Sequence, residues 1–272
     1  MPPTPAVPVL MYHSVADEIA DSFRDFTVTA ARFREHLAAL RDAGWRTISL
    51  TQAAGRLHRQ PAEDQARVVA LTFDDGYADF YSHALPALAA EQARATLFVP
   101  TAHVGRRAGW LRGPDAERPL LDWPALADVA ATGVEIGSHG HHHAPLDVGG
   151  HDDIHQDLAM SRHILEDRLA TAVTALAYPY GYQTGKSRRA ARRAGYHAAC
   201  TVVGLPATSG DPVLALPRIA VTQDMTGADV VAALACPPRL RRPWRKGKQH
   251  LWHAARKTGL MAPHALGRGP RP

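Results

Sequence analysis

Two cysteines, Cys200 and Cys236, are all that the 272 residues contain. That is too few for a disulfide framework, so both read as reduced packing thiols. No uninterrupted apolar run approaches the roughly 20 residues of a membrane span, and the proline-rich start, Met1 to Pro8, lacks a basic segment followed by an apolar one. The expected location is therefore cytoplasmic, peripheral to the inner face of the membrane at most. No repeat period or low-complexity block is visible. Acid is missing from one region only: Pro237 to Pro272 holds ten Lys and Arg and no Asp or Glu. Removing those ten from the 31 basic residues leaves 21 against 26 acidic ones, so the net +5 divides into a body at −5 and a tail at +10.

What is present is globular: 46% hydrophobic and 21% charged residues, in a chain long enough for one large α/β domain. The expected organisation is a domain over residues 1–236 and a basic tail over 237–272, partly helical or disordered. Apolar runs alternate with helical patterns almost throughout. Val7 to Tyr12 reads as a first strand, and Thr29 caps a helix with Phe33, Leu37 and Leu40 on one stripe, closed by Gly44. Trp45 to Leu50 and Arg67 to Thr72 read as strands around a short helix from Thr51. Further strands are expected at 95–100, 134–138, 173–178, 198–203 and 216–222, with helices at 80–92, 123–131, 152–170, 187–194 and 227–235. Seven or eight strands interleaved with helices predict a parallel sheet closed into a (β/α) barrel, whose chemistry gathers at the C-terminal strand ends.

Several chemistry-bearing residues share that address. In Leu71-Thr72-Phe73-Asp74-Asp75-Gly76-Tyr77 an apolar strand runs into two adjacent carboxylates and a turn. Like charges so close are tolerated mainly where a cation or a positive group lies between them, although an ordinary Asp-Asp-Gly turn has the same letters. Gly137-Ser138-His139-Gly140-His141-His142-His143 packs four histidines into five residues. Two neutral imidazoles and a carboxylate with an open position make a hydrolytic metal site. One helical turn after the strand would bring His139 and His143 to the same side, leaving His141 and His142 as solvated loop residues. His13 follows the first strand directly. Tyr178-Pro179-Tyr180-Gly181-Tyr182 is a strand end with a stiff turn and exposed aromatics, readable as a plain turn or as a source of oxyanion-binding amides.

Taken together, Thr72-Phe73-Asp74-Asp75-Gly76, Ser138-His139 with His143, and Tyr178-Pro179-Tyr180-Gly181 resemble the three motifs of the NodB-like polysaccharide deacetylases, carbohydrate esterase family 4, in order and spacing. The resemblance runs from about Val7 to Thr222. The opening Val9-Leu10-Met11-Tyr12-His13-Ser14-Val15 is similar to the branch that includes poly-β-1,6-N-acetylglucosamine deacetylases. It implies a distorted (β/α)7-8 barrel, Asp74 as general base, His13 as general acid, and Asp75, His139 and His143 as ligands of one divalent metal. That metal is expected to be zinc, with cobalt, nickel or iron also suited. The turn of Pro179, Tyr180 and Gly181 would shape the pocket and offer the Tyr180 N–H to the oxyanion. Many members carry an Arg, two residues before the motif-three proline, that orients the catalytic Asp. Here Ala177 occupies that place; Lys186 and Arg218 are the nearby basic candidates for the role, each set against the reading of a surface or structural charge.

The expected function is metal-dependent removal of an N-acetyl group from an amino sugar on an intracellular lipid, nucleotide or small glycoside carrier. The alternatives are a catalytically silent glycan-binding or membrane-tethered scaffold, and a deacylase acting on an O-acetyl ester or a non-sugar amide. An N-acetylated saccharide is the expected partner. The basic tail suits an anionic membrane surface, and nucleic acid is not expected.

Overall fold

The computed structural model describes residues 6–18, 21–58 and 66–234. The basic tail and Cys236 lie outside the described residues. Eight strands form the main sheet: β1 Val9–Tyr12, β2 Arg46–Ile48, β3 Val68–Phe73, β4 Thr96–Val99, β5 Glu135–Ser138, β6 Ala175–Ala177, β7 Ala198–Cys200 and β8 Ile219–Ala220. Between and after them run α1 Ala30–Asp42, α2 Leu50–His58, α3 Leu85–Ala90, α4 Trp123–Ala131, α5 His151–Leu169, α6 Gly185–Arg193 and α7 Gly227–Leu234. Every pairing in this sheet is parallel, in the order β7-β6-β5-β4-β3-β1-β8.

The pairing closes on itself. Leu216 makes a parallel bridge to Cys200 at the end of β7, and three residues later Ile219 pairs with Leu10 of β1. The expected last strand is thus split at Pro217 and Arg218, one half held by each side of the barrel. β2 stands outside the circuit. It lies against the first half of β3, through Ile48 opposite Ala70, while β4 takes the second half of the same edge at Thr72 and Phe73. This tandem arrangement is the distortion in the barrel.

The six residues of β3 are all buried, as a strand covered on both faces requires. Tyr12, Phe33, Phe73 and Phe80 form an aromatic cluster between the sheet and α1, with Tyr12 and Phe73 rings 5.2 Å apart and Phe33 edge-on to both. His36 of α1 is fully buried beside them. Its Nε2 lies 2.7 Å from the Met225 carbonyl and its Nδ1 3.2 Å from the Tyr12 hydroxyl. A carbonyl only accepts, so Nε2 carries the proton and Nδ1 accepts from Tyr12, in a neutral ring. Thr29 caps α1 by accepting from the Arg32 amide. The helix expected over 80–92 instead begins as a wide π turn, Phe80–Ala84, before α3. Pro86 lacks the amide that a regular α-turn would use there.

Candidate active site

β1, β3, β5 and β6, with β4 between β3 and β5, end at one mouth and deliver the candidate groups to it. Asp74 continues the ladder, its amide donating to the Tyr12 carbonyl. Asp75 then turns into the left-handed region with φ 73°, and Gly76 follows with φ 70°. Adjacent strand residues face opposite sides. The reversal at Asp75 removes that alternation and leaves both carboxylates in the mouth, a conformation Asp adopts more readily than most residues.

Each carboxylate has its own partners. Asp74 is gripped by Arg218, with Nη1 donating to Oδ1 at 2.7 Å and Nη2 to Oδ2 at 2.6 Å. The fully buried guanidinium also donates through Nη1 to Thr72 Oγ1 and through Nε to the Thr201 carbonyl. His13 Nε2 approaches Asp74 Oδ2 at 3.9 Å, its ring set edge-on against Phe26. Burial alone would push the Asp74 carboxyl up, but Arg218 and the imidazoles outweigh it and hold the carboxyl below its ordinary value. Burial also holds the His13 imidazole below its ordinary value, against the pull of Asp74 and Asp75.

Asp75 faces two histidines. Its Oδ1 lies 3.2 Å from His139 Nε2 and 3.1 Å from His143 Nε2, and one ligand atom from each of the three buried residues falls within 4.8 Å of the others. His139 Nδ1 lies 2.8 Å from the Ala177 carbonyl, to which it must donate. In a neutral ring Nε2 is then a lone pair aimed at another acceptor, Asp75 Oδ1. Two acceptors at that distance need a positive centre between them, either a proton on Nε2, which Asp74, Asp75 and the Ala177 carbonyl favour against burial, or a metal ion. His143 Nδ1 is buried without a hydrogen-bond partner among the described residues. Two imidazoles and one carboxylate so disposed fit a divalent metal with an open position. The imidazoles outweigh the effect of burial and hold Asp75 well below its ordinary value.

The route by which His139 and His143 meet differs from the expected helical turn. No helix forms there. The chain bends at Gly140, φ 73°, and again at His143, φ 55°, and the two rings come to 4.9 Å. Asp157 of α5 holds the bend by accepting from the His141 and His142 amides. His142 is exposed, but its ring is paired to Asp157, and His141 Nδ1 lies 2.8 Å from Thr101 Oγ1, so neither is a free solvated side chain. Trp110, from the Arg- and Gly-rich loop at 103–118, stacks on His143 at 4.2 Å.

The Pro179–Gly181 turn also departs from expectation. Tyr178 is not exposed: it is buried and donates to the Leu214 carbonyl. Tyr180 takes φ 60°, with its ring 4.8 Å from His143. The turn uses the amides of Gly181 and Tyr182, so the Tyr180 N–H stands outside its hydrogen bonds. Gly181 is required twice over, by φ +70° and because a Cβ would come within 2.7 Å of Val202.

Of the two basic candidates, Arg218 is the bidentate partner of Asp74, supplied from the β8 side of the barrel, while Ala177 at the end of β6 carries only a methyl group. Lys186 stays exposed and donates to the Gly149 carbonyl. A single Arg within the short apolar stretch Leu216-Pro217-Arg218-Ile219 was the available signal. Asp157 and Trp110 carried none that local sequence exposes.

The sequence model of the polysaccharide deacetylases matches residues 62–199, half the chain. YxkH of Bacillus subtilis, which bears the name of that family, is 27% identical over 222 residues, covering 82% of this chain and 74% of its own length. The poly-β-1,6-N-acetyl-D-glucosamine N-deacetylase of Escherichia coli is 39% identical over 83 residues, 30% of this chain and 12% of that one. Among solved structures, the Streptococcus pyogenes deacetylase PplD, in complex with acetate, superposes with a TM-score of 0.74 at 24% identity, covering 86% of this chain and all of that one. IcaB from Ammonifex degensii gives 0.68 at 24% identity, covering 85% and 97%. These superpositions establish the shared barrel, and with the family model they make this chain a member of the NodB-like polysaccharide deacetylases, carbohydrate esterase family 4.

Proposed function

We propose that this deacetylase is a metal-dependent amide hydrolase that removes the N-acetyl group of an amino sugar. The observation that carries the reading is the division of two adjacent carboxylates between separate partners, Asp74 with Arg218 and His13, Asp75 with His139 and His143. Asp75, His139 and His143 would hold one divalent cation, zinc by the ligand set, with cobalt, nickel or iron as alternatives. When bound, such a cation polarises the acetyl carbonyl and lowers the pKa of a coordinated water.

The remaining work falls to the chain. Arg218 keeps Asp74 ionised at neutral pH and fixes the plane of its carboxylate, so Asp74 is in the state to take the water's proton. The Tyr180 N–H is available to the developing oxyanion. An amine leaves poorly unless protonated, and His13 is the acid within reach. Burial favours its neutral ring, so the proton it delivers to the nitrogen would arrive from Asp74, which at 3.9 Å is too far for direct transfer and within reach through one bridging water. One proton thus passes from water to Asp74, to His13 and to the amine. Trp110 stacked over His143 and Tyr180 beside it cover that imidazole, which is buried.

Acetate release from purified protein tests the reading, before and after chelation and with metal added back. The substrates would be an oligomer of β-1,6-linked N-acetylglucosamine, nucleotide-linked and lipid-linked N-acetylglucosamine, and an O-acetylated sugar. Release from at least one N-acetyl substrate, lost on chelation and restored by metal, is expected. Asp74→Asn with undiminished turnover would remove Asp74 as base, and release from the O-acetyl substrate alone would replace the amidase reading by an esterase one.

A further inference from the structure

Asp79 stands at the N-cap position of the helical segment after β3, yet its side chain makes no capping hydrogen bond. An Asp there ordinarily accepts from the helix's own first free amides. This carboxylate turns the other way, to the loop after β1. Its Oδ2 accepts from Ser14 Oγ at 2.5 Å and its Oδ1 from the Val15 amide at 3.3 Å. The residues it holds follow His13 directly. Burial pushes the Asp79 carboxyl up to about 6, against the opposing pull of Ser14, Val15, Arg118 and His83.

His13 needs such an anchor. Its ring is held by an edge-on contact with Phe26 and the 3.9 Å approach to Asp74, neither of which fixes a direction as a short hydrogen bond does. Its backbone therefore sets its aim. On the N-terminal side that backbone is fixed by the ladder, since Tyr12 pairs with Phe73 and accepts from the Asp74 amide. On the C-terminal side, Ser14 and Val15 pair with Thr27 and Val28, just past Phe26. Asp79 then ties the same two residues to the segment that carries Asp74 and Asp75.

We propose that Asp79 is the positioning residue for the proton donor: by clamping Ser14 and Val15 it holds His13 in register with Asp74, without touching substrate or metal. This rests on the reading of His13 as general acid. It makes proton delivery to the leaving group, rather than metal binding or attack, the step that Asp79 controls.

The test uses the full chain loaded with zinc and two substrates, the β-1,6-linked N-acetylglucosamine oligomer, whose amine must be protonated to leave, and 4-nitrophenyl acetate, whose aryl oxide need not be. Asp79→Asn is expected to lower kcat on the amide about 10- to 100-fold with KM nearly unchanged. Its turnover of the ester and its zinc content should stay at the parent's level. Adding Asp79→Asn to His13→Ala should cost nothing further, because both act on one step. Ser14→Ala, which deletes only the 2.5 Å bond, should show the same bias between substrates on a smaller scale, and it decides the matter if Asp79→Asn fails to fold. Equal losses on amide and ester, or multiplicative losses in the double variant, overturn the proposal. His13→Ala with no bias between the substrates would instead overturn His13 as the acid, a distinct result.

Discussion

At the N-terminal ends of β4 and β5, polar side chains are buried in ordinary conformations and satisfied by one another. Thr96 donates to Glu135 at 2.6 Å and accepts from the first amide of α2, and Glu135 accepts from the next amide, so the gap left by the short β2 is filled by a capped helix. At the C-terminal ends the same sheet holds two carboxylates, two histidines that face one of them and a buried Arg. Three of the five non-glycine residues with positive φ among the described residues, Asp75, His143 and Tyr180, stand there. The other two, Gln92 and Ala170, merely end helices. One end is assembled to be stable, the other to keep unlike groups close at the expense of backbone ease. Strain in this molecule thus has two meanings, and only its company with titratable groups tells them apart.

The sharpest way to break the contrast is Arg218→Met. It leaves Asp74 buried without its partner, and unfolding in denaturant should show a loss of about 3–5 kcal/mol. Turnover should fall at least about 100-fold, and a variant that keeps both would show the pair to be dispensable. Next comes the proposed metal. If the site is occupied at about 100 times its Kd, chelation should lower folding stability by about 2.7 kcal/mol and Asp75→Asn should remove both that effect and the bound metal. A melting curve indifferent to chelator would count against a structural share for the ion. At the opposite end, Thr96→Val strands a buried amide of α2 and should cost about 2 kcal/mol while kcat stays unchanged. A fall in kcat there would couple the two ends. The smallest effect should come from Ala170→Gly, which relieves a left-handed helix end with φ 49°. A gain of up to about 1 kcal/mol with unaltered activity would separate incidental strain from the strain at Asp75.

The alternation of strands and helices was legible because it is local. The α4 limits, the Thr29 cap and the Gly44 stop follow from neighbours a few residues apart. The site was legible as a set of residue types at strand ends, since four histidines in five positions and two adjacent acids are dense in chemistry. Its geometry was not. The meeting of His139 and His143 depends on Asp157 drawing two amides toward α5, and no local rule supplies a bend held from another helix. Arg218 shows the same limit. In a strand of alternating sides it could face either the interior or solvent, and the choice is made by Asp74, 144 residues earlier.

That separation also orders events in time. β8 is the last strand of the circuit and β1 the first, so β1 lacks one neighbour until Ile219 and Ala220 have been made. At about 5–20 residues per second, ribosomal synthesis delivers Arg218 roughly 7–30 s after Asp74. Through that interval the nascent barrel holds an acid destined for burial without its counter-charge, and the candidate cleft stays incomplete until Arg218 arrives. Closure of the ring and completion of the Asp74–Arg218 pair are the same event.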